Sequence, residues 1–184
     1  MSIFDIFRRK KRPSPTLEHI EQRKVEDLRT EIFGKRDMTD YLGKAAMCEK
    51  KGLAKMKEKK FDEAWKSFHE QKTHYMRHAN RSGFTPQQAL ALDASVSVNL
   101  ANVLRLESKQ LDAFIHILYW VSTSPATTKT QEQKLKAYFN RAKIESLNLD
   151  KVNEFIGSKE KKDFRTIQTW VANPTEPVAS GQRR

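Results

Sequence analysis

Three histidines close together in the sequence come nearest, by residue type and spacing, to a metal site. His74 and His78 lie four positions apart, which places both on one face of a helix, and His69 precedes them in the same predicted helix. No glutamate stands between them in the order of a zinc protease, and no third ligand is evident. The three also lie opposite the apolar stripe of Trp65, so we expect exposed histidines and no metal.

Sequence motifs for covalent catalysis or nucleotide binding are missing. The chain contains no nucleophile elbow, no phosphate-cradling glycine loop and no dinucleotide fingerprint. The acid pair Asp62-Glu63 stands at a predicted helix start, where negative charge is stabilising. The single cysteine, Cys48, cannot form an internal disulfide and fits a reducing compartment, so we expect it to be a half-buried packing residue. The sequence predicts a non-enzymatic protein with no catalytic residues and no cofactor.

The N-terminal tip, residues 1–12, has an apolar start that is followed by consecutive bases. Its candidate contact residues are Ile3, Phe4, Ile6, Phe7, Arg8, Arg9, Lys10, Lys11 and Arg12. Such a tip suits an anionic membrane surface, a nuclear signal or nucleic-acid arm, or a disordered start without a partner. Secretory signals have the opposite order, and no apolar run approaches the roughly 18–20 residues of a membrane span. We therefore expect a cytoplasmic protein, with peripheral attachment to the inner membrane surface as an alternative.

A second group of basic residues lies on two predicted helices that follow each other. The candidate patch consists of Lys44, Lys51, Lys55, Lys66, Arg77 and Arg81, in a chain of formal net charge +12. These side chains suit RNA, DNA or an acidic protein. However, Glu58, Glu63 and Glu70 are interspersed, and the nearby aromatic residues belong to the core stripe, which does not favour base stacking. A solvated helix face is the favoured interpretation.

Helices must position all of these groups. The six glycines and six prolines fall mainly between long apolar patterns of helical period. These patterns predict helices at 17–33, 39–59, 62–82, 85–106, 111–122, 130–147, around 152–157 and at 159–171. Thr85, Pro86 and Gln88 form the clearest helix start, a capping box, and Thr130 with Gln133 offers another. We predict an all-α fold with a flexible tip and proline linker at 1–15, one helical domain at 16–171 and a disordered tail at 172–184.

Two stretches of the chain resemble the tetratricopeptide (TPR) helical repeats over about residues 40–125. The first stretch carries Gly52, Phe61, Ala64 and Phe68, and the second carries Asn99-Leu100-Ala101-Asn102, Ala113 and Pro125. The spacing from Gly52 to Ala64 equals that from Ala101 to Ala113. The offset of 49 residues, from position 52 to position 101, exceeds the family's repeat of about 34. Lys51 and Lys55 also stand where the family has large apolar residues.

The resemblance implies antiparallel helical hairpins stacked in a TPR-like right-handed array of about seven to eight helices. Such arrays bind protein or peptide partners. The expected function is therefore a protein-interaction module, an adaptor or scaffold. Nucleic-acid binding through the basic helices, and membrane attachment through residues 1–12, stay open as alternatives. A homo-oligomer also stays open, because the nearly neutral middle of the chain suits burial within one chain or between two.

Overall fold

The computed structural model of the protein describes residues 24–25, 39–158 and 162–174. The chain divides into two compact units, Met1–Thr39 and Asp40–Arg184. In the first unit Lys24 and Val25 are helical. The other residues of the predicted helix at 17–33, the tip with its linker, and the tail beyond residue 174 lie outside the described residues.

The described part of the second unit is all-α, as predicted, and contains no strand. Its helices are α1 Tyr41–Lys57, α2 Phe61–Arg81, α3 Pro86–Ser95, α4 Ser97–Leu106, α5 Gln110–Ser122, α6 Lys129–Ala142, α7 Leu149–Gly157 and α8 Phe164–Ala172. Most boundaries fall within a few residues of the predicted ones. The exceptions lie in the helix predicted at 85–106, at both ends of α6, and at the start of α8, which is later than residue 159.

The helix predicted at 85–106 is two helices, because the backbone breaks at Val96. The Ser95 hydroxyl donates a hydrogen bond of 2.7 Å to the carbonyl of Leu92, which competes with the regular helical pattern. Val96 is 1% exposed and belongs to the core. The helix is therefore interrupted at Val96 while the side chain of this residue stays in the core.

The stretch Pro86–Leu106 is long and apolar enough to cross a membrane by length and composition alone. The prediction that no apolar run approaches this length is therefore wrong. Core helices of water-soluble proteins meet the same criteria, and part of this stretch is buried inside the domain. Asp93 within it is ion-paired with Lys72 of α2. Length and composition are thus weak support for a membrane span.

Capping boxes start α3 and α6, one at the predicted position and one at a corrected position. Thr85 accepts a hydrogen bond from the backbone N–H of Gln88, as predicted. At α6 the pair is Thr128 with Gln131, so the predicted pair at positions 130 and 133 is wrong. Gln131 is 5% exposed, and its amide also donates to the Ser124 hydroxyl at 2.5 Å. This tertiary contact explains why the helix starts two residues early.

Two antiparallel hairpins, α1–α2 and α4–α5, close with the same turn geometry. Lys59 and Ser108, 49 positions apart, both adopt a positive φ, of 59° and 63°. In each turn the next backbone N–H bonds back to a helix carbonyl at 2.9 Å, from Lys60 to Lys55 and from Lys109 to Leu104. The sequence offset noted above is thus also a structural repeat. The TPR-like right-handed stacking stays a prediction.

Gly52 of α1 lies directly against the ring of Phe68 of α2. A Cβ built on Gly52 would lie 2.6 Å from Cε1 of Phe68, so only glycine fits against this ring. Ala64, Ala101 and Ala113, the other small positions of the resemblance, are each 0% exposed. Small residues therefore occupy the tight contacts of both hairpins.

The core of the second unit has two clusters. The smaller cluster surrounds Phe68 between α1, α2 and α4, and the larger one surrounds Phe114 and includes residues of α3 to α8. Trp65 packs against both clusters. In α1 the apolar Leu42 is 46% exposed, whereas Ala45 is buried.

Candidate functional site

A cavity of about 330 Å³ opens beside the larger core cluster, where α2, α4, α5 and α8 meet. We call it the cleft. Its lining residues are Trp65, Leu104, Lys109, Asp112, Ile115, His116, Phe164 and Gln168. Apolar and aromatic side chains form most of the surface, and the three charged or amide side chains add polar groups. This mixture is typical of ligand and peptide sites.

The imidazole of His116 lies between two aromatic rings of the cleft. Its centroid is 5.8 Å from the Trp65 ring, in an edge-to-face arrangement, and 4.6 Å from the Phe164 ring. His69, one turn after Trp65 on α2, lies against the same indole in a tilted arrangement, with 4.8 Å between the ring centroids. These contacts bring residues of α2, α5 and α8 together, although they are far apart in the sequence.

His116 is a neutral side chain in the folded protein. The residue is 7% exposed, and its burial lowers the pKa to about 3, with a further contribution from the positive charge of Lys72. Its Nδ1 is buried and has no hydrogen-bond partner among the described residues. A buried polar atom without a partner is costly and uncommon. His116 thus offers a neutral hydrogen-bonding group at the cleft.

A half-buried polar cluster connects helices next to the cleft. One carboxylate oxygen of Asp93, on α3, lies 2.9 Å from the Lys72 ammonium and accepts a hydrogen bond of 2.8 Å from the Tyr119 hydroxyl. Burial and the neighbouring Asp93 raise the pKa of Tyr119. The Tyr119 ring packs edge-on against Phe164 at 5.5 Å. The cluster therefore ties α2, α3 and α5 together and positions one wall of the cleft.

The polar groups at the cleft suit noncovalent binding. Lys109 is held by Glu107, with 3.3 Å between ammonium nitrogen and carboxylate oxygen. Asp112 and Gln168 are exposed and can bond to the backbone of a bound chain. Leu104 and Ile115 are buried and add an apolar surface. The arrangement provides shape, apolar contact and a small number of directional hydrogen bonds.

The residues of the basic patch predicted on the first hairpin belong to α1 and α2. Five of its six side chains are exposed, and Lys55 lies 3.2 Å from both Glu58 and Glu63. Hydrogen bonds to these two carboxylates raise the pKa of Lys55. Arg81 lies over the Tyr41 ring at 5.0 Å, which connects the far ends of the two helices. Residues 3–12, the other predicted contact, lie outside the described residues.

The prediction for the histidines needs correction. His69 is exposed, but it lies against Trp65 instead of opposite it, and burial lowers its pKa. His74 stacks on Tyr41, and His78 lies edge-on to Phe84, so both are half-buried. Within the described residues, no three His, Cys, Asp or Glu side chains are grouped as metal ligands.

Cys48 is a half-buried helical residue, as predicted. Its Sγ lies 4.0 Å from a carboxylate oxygen of Glu70 on α2. Burial, followed by the negative charge of Glu70, raises the pKa of the thiol. A raised pKa reduces the thiolate fraction and therefore the reactivity of the side chain. Cys48 thus packs the first hairpin.

Sequence reasoning missed the cleft and its central residue. His116 is a single imidazole within the apolar run 113–121 of α5, where every other residue except Trp120 is buried. A polar residue in such a run was the one local signal for the site. The partners that complete the cleft, Trp65 and Phe164, come from distant helices and carry no comparable signal.

Comparison of the chain with protein-family models, curated proteins and solved structures found no match.

Proposed function

We propose that this protein is a non-enzymatic interaction module whose helical hairpins hold a peptide segment of a partner protein in the cleft. The observation that carries the proposal is the cleft itself, an open apolar cavity with hydrogen-bonding groups at its surface. Its volume of about 330 Å³ lies at the lower end of the usual range for ligand pockets, about 300–1,000 Å³. One side chain of a peptide fits such a volume, while the rest of the peptide stays outside.

The position of the cleft between repeated hairpins also supports peptide binding. Trp65 comes from the first hairpin, Leu104 and Ile115 come from the second, and Phe164 comes from a later helix. Grooves between stacked helical hairpins are the surfaces that repeat proteins use for extended partners. A rigid groove needs little reorganisation on binding, which favours affinity.

A displayed library of random peptides tests this proposal with the full chain as bait. Gln168→Trp places a large ring at the cleft from an exposed position on α8, so the core stays intact. Thr169→Trp adds the same ring at the next exposed position, which does not line the cleft. We expect the wild type and Thr169→Trp to enrich the same peptides and Gln168→Trp to lose them. Equal enrichment by all three proteins would contradict binding at the cleft.

The basic side of the first hairpin favours one alternative, binding of nucleic acid. Lys51, Lys66 and Arg77 are exposed there without a carboxylate within ion-pair distance among the described residues. Phosphate binding by such residues weakens steeply with salt. Replacing all three with glutamine should reduce the salt dependence of RNA binding by about two to three counterions. No binding of the wild type at low salt would exclude this alternative.

A further inference from the structure

The volume of the cleft limits the group that it takes. An engineered protein cavity of about 150 Å³ holds a benzene molecule, and the cleft, at about 330 Å³, is roughly twice that size. This is room for one bicyclic or substituted ring and the carbon that attaches it to a chain. A side chain with a charged end is a poor match, because Leu104 and Ile115 form an apolar part of the surface and are only 6% and 5% exposed.

The lining of the cleft favours a ring over a branched aliphatic side chain. The ring of His116 meets the Trp65 ring at 88° and the Phe164 ring at 44°. The lining therefore presents both faces and edges of aromatic rings. A further ring placed among them can stack on one neighbour and meet another edge-on, the two arrangements that aromatic pairs prefer. An aliphatic side chain gains contact area there but none of this directional attraction.

His116 adds a requirement for a hydrogen-bond donor. A neutral imidazole has one nitrogen that accepts a hydrogen bond. Nδ1 of His116 is enclosed by the protein without a partner among the described residues, which leaves Nε2 as the ring nitrogen for a group bound in the cleft. The residue lines the cleft and is 7% exposed, so bulk water satisfies it poorly. An indole N–H or a phenol O–H supplies the missing donor, whereas a phenyl ring does not.

We infer that the cleft is a pocket for a tryptophan or tyrosine side chain of a peptide, whose ring N–H or O–H donates to His116. This inference rests on the proposed function and names the residue that the partner must carry. Trp65 and Phe164 hold the ring, and His116 selects rings with a donor. Asp112 and Gln168, exposed beside the cleft, are placed to bond to the peptide backbone on either side.

Titration of the ¹⁵N-labelled full chain with four N-acetyl amino-acid amides tests the inference. The probes are the amides of tryptophan, tyrosine, phenylalanine and leucine, and the readout is the shift of the Trp65 indole signal, assigned as the one absent from Trp65→Phe. We expect the tryptophan and tyrosine amides to bind about tenfold more tightly than the phenylalanine amide, the usual effect of one hydrogen bond. Leucine amide should bind least.

Variants at the cleft separate the hydrogen bond from the shape of the pocket. His116→Phe keeps a ring in place and removes both nitrogens, so it should bind the phenylalanine amide and lose the preference for the other two rings. Gln168→Trp should bind none of the probes, while Thr169→Trp should behave as the wild type. A preference for tryptophan and tyrosine that persists in His116→Phe overturns the role of His116.

Other outcomes overturn the inference and distinguish it from the proposed function. Equal affinity for the phenylalanine or leucine amide overturns the selection of a donor ring, and tighter binding of free indole than of the tryptophan amide overturns a peptide partner. If the peptide library still depends on the cleft but enriches neither tryptophan nor tyrosine, the inference fails and the proposed function stands. If enrichment does not depend on the cleft, both fail.

Discussion

Replacing Gly52 with alanine tests the contact between Gly52 of α1 and the Phe68 ring of α2. The added Cβ would lie 2.6, 2.8 and 2.9 Å from three carbons of the Phe68 ring, distances that real Cβ atoms do not show. Phe68 is 0% exposed and belongs to the smaller core cluster. Its ring has no free space to move into, so the two helices must separate or the ring must leave its preferred rotamer.

Two opposing effects determine the size of the change. Alanine is favoured over glycine in a helix interior by about 1 kcal/mol. Overpacking a close-packed core typically costs about 1–3 kcal/mol, and three short contacts with one ring place this case in the upper half of that range. We expect Gly52→Ala to lower the free energy of unfolding by about 1–2 kcal/mol.

Urea unfolding followed by circular dichroism measures this difference. Gly157→Ala is the matched control, because a Cβ there meets nothing within 4 Å, and its stability should change by less than about 0.5 kcal/mol. Phe68→Leu should partly relieve the Gly52→Ala defect, so the two changes should be less than additive. If Gly52→Ala is as stable as the wild type, the close approach of α1 and α2 is refuted.

Three further predictions test the site and the corrected helix start. The folded pKa of His116, about 3, lies below the unfolded value of about 6.5, so the unfolded chain binds more protons between these values. Stability should therefore fall as the pH drops from about 6.5 to 3, by up to about 1.4 kcal/mol per pH unit. His116→Phe should remove this part of the slope in urea unfolding at several pH values, and an unchanged slope would argue against a buried neutral imidazole. Tyr119→Phe removes the 2.8 Å hydrogen bond to Asp93 and should cost about 1.5–3 kcal/mol in thermal or urea unfolding; a neutral effect would mean that the bond is not formed. Thr128→Ala should cost about 1 kcal/mol through loss of the α6 cap, whereas Thr130→Ala should cost less than about 0.5 kcal/mol, and the reverse order would restore the helix start that the sequence predicts.

Helices could be predicted from the sequence wherever local interactions determine their ends. The capping box of Thr85 and Gln88 needs only residues three positions apart, so the sequence contains all of its information. The start of α6 differs, since two threonine-glutamine pairs overlap and the buried contact between Gln131 and Ser124 selects the earlier one. The break at Val96 accompanies the local hydrogen bond from the Ser95 hydroxyl to the Leu92 carbonyl, which the apolar period does not reveal.

The cleft could not be predicted because four separate helices form it. The apolar pattern correctly placed Trp65 on the inner face of its helix. A pattern with helical period shows which face is buried, but it does not show which other face it meets. The prediction that the histidines lie opposite Trp65 failed for a related reason, since a side chain one turn away can fold back onto the indole.

The place of Trp65 in both core clusters and in the cleft links occupancy of the cleft to local unfolding. If α1 and α2 open together as one unit, the indole leaves and the cleft loses a wall. The hairpin can then open only after a bound peptide has been released, so peptide binding opposes the opening. Backbone amides of the first hairpin should exchange with deuterium more slowly by a factor of one plus the ratio of free peptide to its Kd. Amide exchange in α1, which contributes no residue to the cleft, would thus report on its occupancy.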